Sequence, residues 1–335
     1  MSSLNAWIPR LAGLRVLVVG DVILDEYLVG KTTRLSREAP IPVLEFESRR
    51  MIPGGAANPA ANIAALGSTP IQVGIIGSDS PGTNLRQVLQ AQGIDTGGLV
   101  TDSGRPTTVK TRIMAHMGLR FPQQVARLDT LSREPIHAGV ERQVRGLIDQ
   151  HIREVNAVLL SDYHSGLLTP SLVNTIRTLA AEAGVLLTAD AQGDLDKYTG
   201  FGLVKCNADE ARAYLRRDLD TPDDFAQAAL EIGAALQLTG GMVITRGGDG
   251  ATVALCAENQ AVHSPAPVVS DVYDTVGAGD TAIAVLTLAV AAGAAYAEAA
   301  ALANYASGLV VRRVGNYTPK PDELAWALAT WGGED

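Results

Sequence analysis

Short apolar runs alternate with amphipathic stretches along most of the chain. The apolar runs are rich in β-branched residues, which is typical of strands buried on both faces. They are Leu14–Gly20, Ile71–Gly77, Val155–Ser161, Val185–Ala189 and Met242–Thr245. A helical period occurs between them, over Gly82–Gln92, Ile136–Arg153, Thr169–Ala183 and Pro222–Leu236. Strands that alternate with helices predict an α/β fold with a mostly parallel sheet that is covered on both faces.

Two segments depart from this alternation. Leu28–Glu47 and Thr107–Asp129 contain β-forming residues, turns and charges but no helical period. We expect them to form a small antiparallel sheet, a lid that projects from the main body, in which Lys31, Pro40 and Pro42 are residues that edge strands tolerate. The alternative is a pair of extended surface loops. An isolated sheet of this kind would leave strand edges and apolar side chains uncovered, so it predicts a homodimer formed through the lid.

Composition limits the class of protein. The 335 residues are 47% hydrophobic and 19% charged, which is enough apolar material for a sizeable core. We expect a single domain over residues 1–335, since no linker or repeat interrupts it. The net charge of -9 argues against nucleic-acid binding. Cys206 and Cys256 belong to no metal-binding cluster, and we expect two buried thiols in a reducing compartment.

No segment resembles a signal peptide or a membrane span. Met1–Arg10 lacks an apolar core and contains Pro9. Thr281–Ala297 is uncharged but rich in alanine and interrupted by Gly293, so we expect a buried helix there rather than a span. The protein is therefore expected to be cytoplasmic.

The segment from Asp274 to Asp280 carries the first candidate chemistry. Gly277, Ala278 and Gly279 precede an apolar stretch, and glycines let backbone N–H groups approach an anion at a helix N-terminus. Asp280 then lies at the helix start. Taken alone, this segment could also be a tight turn with a capping aspartate. It lies too late in the chain for a Rossmann loop and does not match GxxxxGK[ST].

Three further segments accompany this loop: a second glycine-rich helix entry at 53–60, an NxxE sequence at 207–210, and a turn at 245–250. In their order and spacing these motifs resemble the ribokinase-like family of sugar kinases, also called the PfkB family. The resemblance covers Leu14 to Val314. It implies a ribokinase-like three-layer α/β/α domain, with a mostly parallel central sheet and a small β-sheet lid.

The resemblance assigns the reaction to the last glycine loop. It implies that Asp280 is the general base that takes a proton from the sugar hydroxyl, and that ATP supplies the phosphoryl group. The backbone of Gly277, Ala278 and Gly279 would form the anion hole. A carboxylate near its ordinary pKa of about 3.9 is a weak base, but it need only accept the proton late in the displacement.

The resemblance also assigns a nucleotide site. Asn207 and Glu210 match the motif that supports Mg²⁺, often through water. The same pair could instead cap a helix, and both roles can hold together. Thr245, Gly247 and Gly250 would face the nucleotide, and Asn304 would lie where the family closes over the adenine.

The end of the first strand is expected to bind the sugar. Asp21 and Asp25 follow Leu14–Gly20, and ligands of open α/β sheets gather at the carboxyl ends of the strands. Asp25 occupies the usual sugar-contact position of the family. Gly54, Gly55 and Asn58 of the second glycine-rich segment are assigned to the substrate as well.

Four stretches point to one branch of the family: GDVILDEYLVG (20–30), SREAPIPVLE (36–45), TTVKTRIMA (107–115) and QQVARLD (123–129). They resemble the heptose 7-phosphate kinases of lipopolysaccharide core synthesis. The resemblance implies transfer of phosphate from ATP to the anomeric hydroxyl of D-glycero-D-manno-heptose 7-phosphate. Lys110, Arg112 and Arg127 are the candidates for holding the distal phosphate, the alternative being a solvated strand face.

Some positions depart from that branch. Asp190-Ala191-Gln192-Gly193 stands where Asp-Pro-Lys-Gly is common, which removes a cation, and Cys206 and Arg37 replace prolines. His164 is expected to be structural. None of the five histidines forms an HxGH motif, so we expect a kinase without a nucleotidyltransferase. The alternatives are a kinase of another sugar or sugar phosphate, or a non-catalytic sugar or nucleotide sensor.

Overall fold

A computed structural model describes residues 2–118 and 122–332. Residues 119–121 of the expected lid and residues 1 and 333–335 of the expected domain lie outside the described residues. The strands are Arg15–Gly20 (β1), Val22–Leu35 (β2), Pro42–Gly55 (β3), Thr69–Ile76 (β4), Leu99–Thr101 (β5), Val109–His116 (β6), Gln123–Thr130 (β7), Ala157–Ser161 (β8), Leu186–Asp190 (β9), Leu203–Asn207 (β10), Gly241–Thr245 (β11), Ala251–Leu255 (β12) and Gln260–Ser264 (β13).

The α-helices are Ser2–Asn5 (α1), Ala57–Ala65 (α2), Ser80–Ala91 (α3), Ala138–His151 (α4), Pro170–Ala183 (α5), Ala208–Leu215 (α6), Pro222–Ala235 (α7), Ala278–Ala291 (α8), Tyr296–Val310 (α9) and Pro321–Trp331 (α10). Short 3₁₀ helices occur at Ile8–Leu11, Ile152–Glu154, Leu195–Tyr198 and Gly247–Asp249. Thr169 and Thr221 cap α5 and α7 and are followed by proline, as their sequence indicates.

The central sheet has nine strands in the described part of the chain, in the order β13-β12-β11-β10-β9-β8-β1-β4-β5. The run from β11 to β5 is parallel, whereas the pairings of β12 with β11 and with β13 are antiparallel. Strand β1 has β4 on one side and β8 on the other. Their carboxyl ends therefore open a crevice at the point where the strand order reverses, which is where open α/β sheets bind ligands.

The two faces of this sheet pack against different helices. Val16 and Val18 of β1 belong to a core with α2, α3, α8, α9 and α10, whereas Leu17 and Val19 belong to a core with α4, α5 and α7. Alternation along the strand produces this division. The expected three-layer α/β/α arrangement is confirmed.

A second sheet forms the lid, in the order β3-β2-β6-β7. The lid is confirmed, but its middle pair differs from the expectation because β2 and β6 run parallel. Between β3 and β6 the chain returns to the main body through α2, β4, α3 and β5, and such a crossover lets β6 enter in the direction of β2. Lys31 lies on this inner strand β2 rather than on an edge, while Pro42 begins the edge strand β3.

Helix α8 is the buried helix expected at Thr281–Ala297, although it ends at Ala291. No α-helix in residues 2–118 and 122–332 is long and apolar enough to cross a membrane. Both cysteines are free thiols, Cys206 buried as expected and Cys256 only partly buried.

Candidate active site

Polar residues converge at the carboxyl ends of the parallel strands. Asp21 follows β1, Asp162 follows β8, Asp190 ends β9 and Asn207 ends β10. Helix α8 begins above this edge and brings Asp280 in its first turn. The crevice therefore collects several carboxylates from segments that are distant in sequence.

Asp280 is buried and bound by two neutral donors. The amide nitrogen of Asn58 donates to its Oδ2 at 2.8 Å, and the hydroxyl of Tyr163 donates to its Oδ1 at 2.6 Å. Only 7% of the residue is exposed. The two bonds fix the plane of the carboxylate, and geometry of this kind suits a base that must meet one substrate hydroxyl.

The environment raises the pKa of Asp280 to about 6. Burial is the largest cause and the negative charge of Asp190 the second, while the hydrogen bonds from Tyr163 and Asn58 and the charge of Lys205 act in the opposite direction. The pKa of Asp280 therefore lies above the ordinary value of about 3.9 of a solvated aspartate. A pKa near the working pH makes it a stronger base than a solvated aspartate.

A chain of hydrogen bonds sets the orientation of Asn58. The hydroxyl of Thr281 donates to Oδ1 of Asn62, whose amide nitrogen donates to Oδ1 of Asn58 at 3.2 Å. Because the oxygen of Asn58 accepts from Asn62, its nitrogen must face Asp280. The second glycine-rich segment thus supplies a partner to the base.

The last glycine loop fits closely against its surroundings. Gly277 has a φ of 84°, and a Cβ there would lie 2.9 Å from both the Asn316 Oδ1 and the Asn58 Nδ2. Ala278 and Gly279 then start α8, where the first N–H groups have no intrahelical acceptor; that of Ala278 donates to the carbonyl oxygen of Thr275 at 3.3 Å. Glycine at position 277 lets the loop approach both asparagines.

Lys205 is the cation buried below this loop. Its Nζ lies 2.6 Å from Oδ1 of Asp190 and 3.4 Å from the carbonyl oxygen of Gly279. Both side chains of the ion pair are only 6% exposed. Strand β10 therefore supplies the cation that neutralises Asp190.

Asp25 joins the lid to the body. Its Oδ1 accepts from Arg112 at 2.6 Å, and its Oδ2 accepts from the amide of Asn316 at 2.7 Å. A Cβ on Gly54 would lie 2.5 Å from the same carboxylate. The Oδ1 of Asn316 is buried and has no partner among the described residues, so it can accept from a ligand hydroxyl.

Asp21 supports a loop rather than an open site. Its Oδ2 accepts from the backbone N–H groups of Tyr163 and Ser165 at 2.9 and 3.0 Å. Burial raises the pKa of this carboxyl. A Cβ on Gly55, whose φ is 55°, would lie 2.3 Å from the carbonyl oxygen of Asp21. These residues bring β1, β3 and the loop after β8 together.

The expected phosphate-binding cations all lie on one face of the lid. Arg50, Tyr27, Arg112 and Arg127 are register partners across the four strands, and side chains paired in this way point to the same face. Lys110 occupies the neighbouring row, opposite Asp25. Its Nζ lies 4.8 Å from the ring centre of Tyr163.

These cations differ in exposure. Arg112 is buried in its ion pair with Asp25, and Lys110 is partly buried. The Arg127 side chain is 49% exposed and pairs with Asp129. Arg50, which the sequence did not single out, is exposed at the end of the same row.

A cavity of about 480 Å³ lies beside the N-terminus of α8. Its walls include Thr245, Gly247, Gly250 and Asn304, four of the residues expected at the nucleotide. Ala278, from the loop expected to form the anion hole, lines the same cavity. The amide of Asn304 donates to the carbonyl oxygen of Ser264 at 2.9 Å. It therefore fixes the segment that follows β13 at the cavity edge.

Asn207 and Glu210 form a capping box at the start of α6. The Oδ1 of Asn207 accepts from the N–H of Glu210, and the Glu210 carboxylate accepts from the N–H of Asn207 at 2.7 Å. Burial raises the pKa of Glu210. No group of three or more His, Cys, Asp or Glu side chains in residues 2–118 and 122–332 is placed to hold a metal. A cation here would need oxygens from water or phosphate, which is the coordination that Mg²⁺ favours.

The sequence reasoning missed Tyr163, Lys205 and Asn316. Tyr163 lies in the segment 162–166, which resembles the heptose kinase branch but in which only His164 was given a role, a structural one. The His164 ring contacts the carbonyl oxygen of Gln192. Lys205 lies in the middle of β10, and a single lysine within a short strand indicates no particular partner. Asn316 is 291 positions from Asp25, and no local pattern connects them.

Comparison with known proteins identifies the family. A sequence model described as "pfkB family carbohydrate kinase" matches residues 14–323. The chain is 37% identical over 316 residues to the bifunctional protein HldE of Geobacter metallireducens, covering 94% of the chain and 63% of that protein. It is 36% identical to the protein of the same name from Hyphomonas neptunium, covering 99% of the chain and 67% of that protein. The chain thus spans about two thirds of the length of these relatives.

Solved structures share the fold at low sequence identity. Phosphofructokinase-2 from Escherichia coli, in complex with substrates and products, superposes with a TM-score of 0.77 at 20% identity, covering 96% of this chain and 99% of that one. The Arabidopsis thaliana ribokinase complexed with ribose and ATP has a TM-score of 0.73 at 18% identity, with 95% and 99% covered.

Proposed function

The chain belongs to the pfkB family of carbohydrate kinases, and we propose that it transfers the γ-phosphate of ATP to the anomeric hydroxyl of D-glycero-β-D-manno-heptose 7-phosphate. The product would be the 1,7-bisphosphate, a precursor of ADP-heptose and the lipopolysaccharide core. The four segments that resemble the heptose kinase branch support this choice of sugar.

The observation that carries the proposal is the buried Asp280 beside the N-terminus of α8. A sugar hydroxyl placed near its carboxylate would lose its proton to Asp280 as its oxygen bonds to the γ-phosphorus. The bond from that phosphorus to the leaving oxygen of ADP would break. Negative charge on the transferring group would face the N–H groups of Gly277, Ala278 and Gly279.

The distal phosphate is assigned to the lid. Asp25 would contact the sugar hydroxyls together with Asn58. Tyr27 lies two residues further along β2, and the row of side chains that pairs with it across the lid contains Arg50, Arg112 and Arg127. Two residues of a strand span about 7 Å, which suits the distance between a sugar ring and its terminal phosphate. Arg127 and Arg50 offer exposed guanidinium groups there, with Arg112 anchored between them.

We assign ATP to the 480 Å³ cavity, since Asn304 lines it together with Ala278 and Gly279 at the N-terminus of α8. Mg²⁺ would lie near Glu210 and the phosphates, held through water, where it would neutralise phosphate charge. Asn207 would keep the Glu210 carboxylate in place through the capping box.

We also propose that two copies associate through their lids. Exposed apolar side chains are concentrated there: Leu35 is 70% exposed, Phe46 70% and Leu128 65%. Light scattering at micromolar concentration should give the mass of a dimer, and Phe46→Lys should lower it. Val262→Lys, on the edge of the main sheet, is the control; a monomeric wild type would overturn this assignment.

We assign the protein to the cytoplasm.

A panel of sugars tests the function. In a coupled ADP assay, heptose 7-phosphate should have a higher kcat/KM than unphosphorylated heptose, fructose 6-phosphate or ribose. In the product, ³¹P NMR should find the new phosphate on the anomeric carbon. Arg127→Met should raise KM for the phosphosugar by roughly tenfold, since a charge-assisted bond is lost, and leave the weak reaction of the free heptose unchanged. Phosphorylation of ribose or fructose 6-phosphate but not of heptose 7-phosphate would favour a kinase of another sugar.

A further inference from the structure

We propose that Tyr163 is a positioning residue for Asp280: its hydroxyl holds the carboxylate in the orientation that receives the substrate proton. This inference rests on the proposed role of Asp280 as the base. No motif of the family resemblance assigned a role to Tyr163.

The geometry leaves the hydroxyl little freedom. It lies 2.6 Å from Oδ1 of Asp280, while Asn58 holds the other carboxylate oxygen. Burial and the nearby charge of Asp280 raise the pKa of Tyr163 well above its ordinary value, so the hydroxyl keeps its proton and donates. One carboxylate oxygen therefore faces the loop after β8, and the other faces α2.

Tyr163 is itself held from two sides. The backbone N–H groups of Tyr163 and Ser165 bind the buried Asp21 carboxylate. The Lys110 cation of the lid lies against one face of the ring. The body and the lid therefore meet at this side chain, and a rotation of the ring would break the contact with the lid or the bond to Asp280.

The charged groups around Asp280 set the sign of the expected effect. Asp190, at the end of β9, raises its pKa, whereas Lys205 of β10 and the donors Tyr163 and Asn58 lower it. Lys110 stands behind the Tyr163 ring. Removing the Tyr163 hydroxyl takes away one of the lowering influences, so the pKa of Asp280 must rise and a larger fraction of the base must be protonated at a given pH.

Tyr163→Phe keeps the ring and its contact with Lys110 but removes the hydroxyl. In the pH profile of kcat, its acid limb should lie at higher pH than that of the wild type. The loss in kcat should then be roughly tenfold or more at pH 6 and clearly smaller at pH 8.5, with KM for ATP changed less than about twofold. Tyr198→Phe is the matched control, because its hydroxyl binds Asp162 rather than Asp280; its acid limb should stay in place.

A second variant should shift the acid limb of the pH profile to lower pH while it keeps the packing of the Tyr163 ring. Introducing 3-fluorotyrosine at position 163 alone makes the hydroxyl a stronger donor, so the acid limb should move to lower pH. A loss in kcat that is the same at every pH, or a Tyr198→Phe limb that moves as far, would overturn the inference. If Asp280→Asn is inactive while the Tyr163→Phe limb does not move, only this inference fails; if Asp280→Asn stays active, the proposed base itself fails.

Discussion

Asn58 donates a hydrogen bond of 2.8 Å to Asp280, although the two residues are 222 positions apart. The bond connects the two glycine-rich segments of the chain, one entering α2 and the other entering α8. Gly277 lies between the Asn58 amide and Asn316. The site is therefore assembled around close contacts that only glycine permits at that position.

Gly277→Ala should lower kcat by roughly tenfold or more, because a Cβ 2.9 Å from both asparagines must displace the partners of Asp280 and Asp25. Gly293→Ala is the control, since Gly293 also has a positive φ, 95°, but nothing lies within 4 Å of its added Cβ. It should cost about 1–3 kcal/mol of unfolding free energy and leave kcat unchanged. Steady-state kinetics and urea unfolding of both variants give the comparison; equal kcat losses would show that backbone strain alone is responsible.

The buried Asp280 should make the protein less stable as the pH rises. Its pKa is raised from 3.8 to about 6, so the folded state binds more protons than the unfolded state between these values. Stability therefore falls as pH rises through this window, and the cost of ionising the buried group is fully present above pH 6. Relative to Asp280→Asn, the wild type should lose about 1–2 kcal/mol of unfolding free energy between pH 5 and pH 8. Urea unfolding at several pH values measures it, and a constant difference would place the pKa near its ordinary value.

The pair between Asp25 and Arg112 should matter for stability as well as for the substrate. Both side chains are more than nine-tenths buried, so Arg112→Met would leave a buried carboxylate without its cation and should cost about 3 kcal/mol. Asp25→Asn combined with Arg112→Met should recover much of that loss. Arg127→Met, which breaks an exposed pair, should cost less than about 1 kcal/mol. Urea unfolding distinguishes these cases. Similar losses of unfolding free energy for Arg112→Met and Arg127→Met would contradict the claim that the buried pair contributes more than the exposed one.

Glu210→Gln separates capping from metal support. Glutamine can still accept from the N–H of Asn207, as the capping box requires, but it has no charge. The concentration of Mg²⁺ that gives the half-maximal rate should therefore rise several-fold, while the melting temperature changes little. Glu298→Gln removes the same charge from the first turn of α9, where Glu298 accepts from Ala295, and should not alter the Mg²⁺ dependence. An unchanged Mg²⁺ titration for Glu210→Gln would leave the residue with a capping role alone.

The sequence was sufficient for features that repeat along the chain. The apolar runs placed the parallel strands, the helical period placed helices such as α5 and α7, and the absence of a helical period indicated the lid. Each of these is a local consequence of backbone hydrogen bonding and side-chain alternation. The parallel entry of β6 was not predictable in this way, because the route of the chain through the body decides it.

The side-chain partners could not be predicted from local patterns. Tyr163 meets Asp280 across 117 positions, and Lys205 meets Asp190 although Gln192 stands where the family often has lysine. The pKa of Asp280 depends on how completely the folded chain removes it from water, which no spacing of residues specifies. The glycine signatures identified the right place, and the three-dimensional contacts identified what surrounds the base.

Turnover of Asp280→Asn is the most direct test of this account. Asparagine has nearly the same shape but cannot accept the proton, so kcat should fall by roughly 10²–10⁴-fold while the Kd for ATP, measured by calorimetry, stays within about threefold of wild type. Asp224→Asn, with the same chemical change at a carboxylate that binds the backbone N–H groups of Asp220 and Thr221 at the start of α7, should retain far more turnover. An Asp280→Asn variant that phosphorylates its sugar at close to the wild-type rate would contradict the claim that Asp280 is the catalytic base.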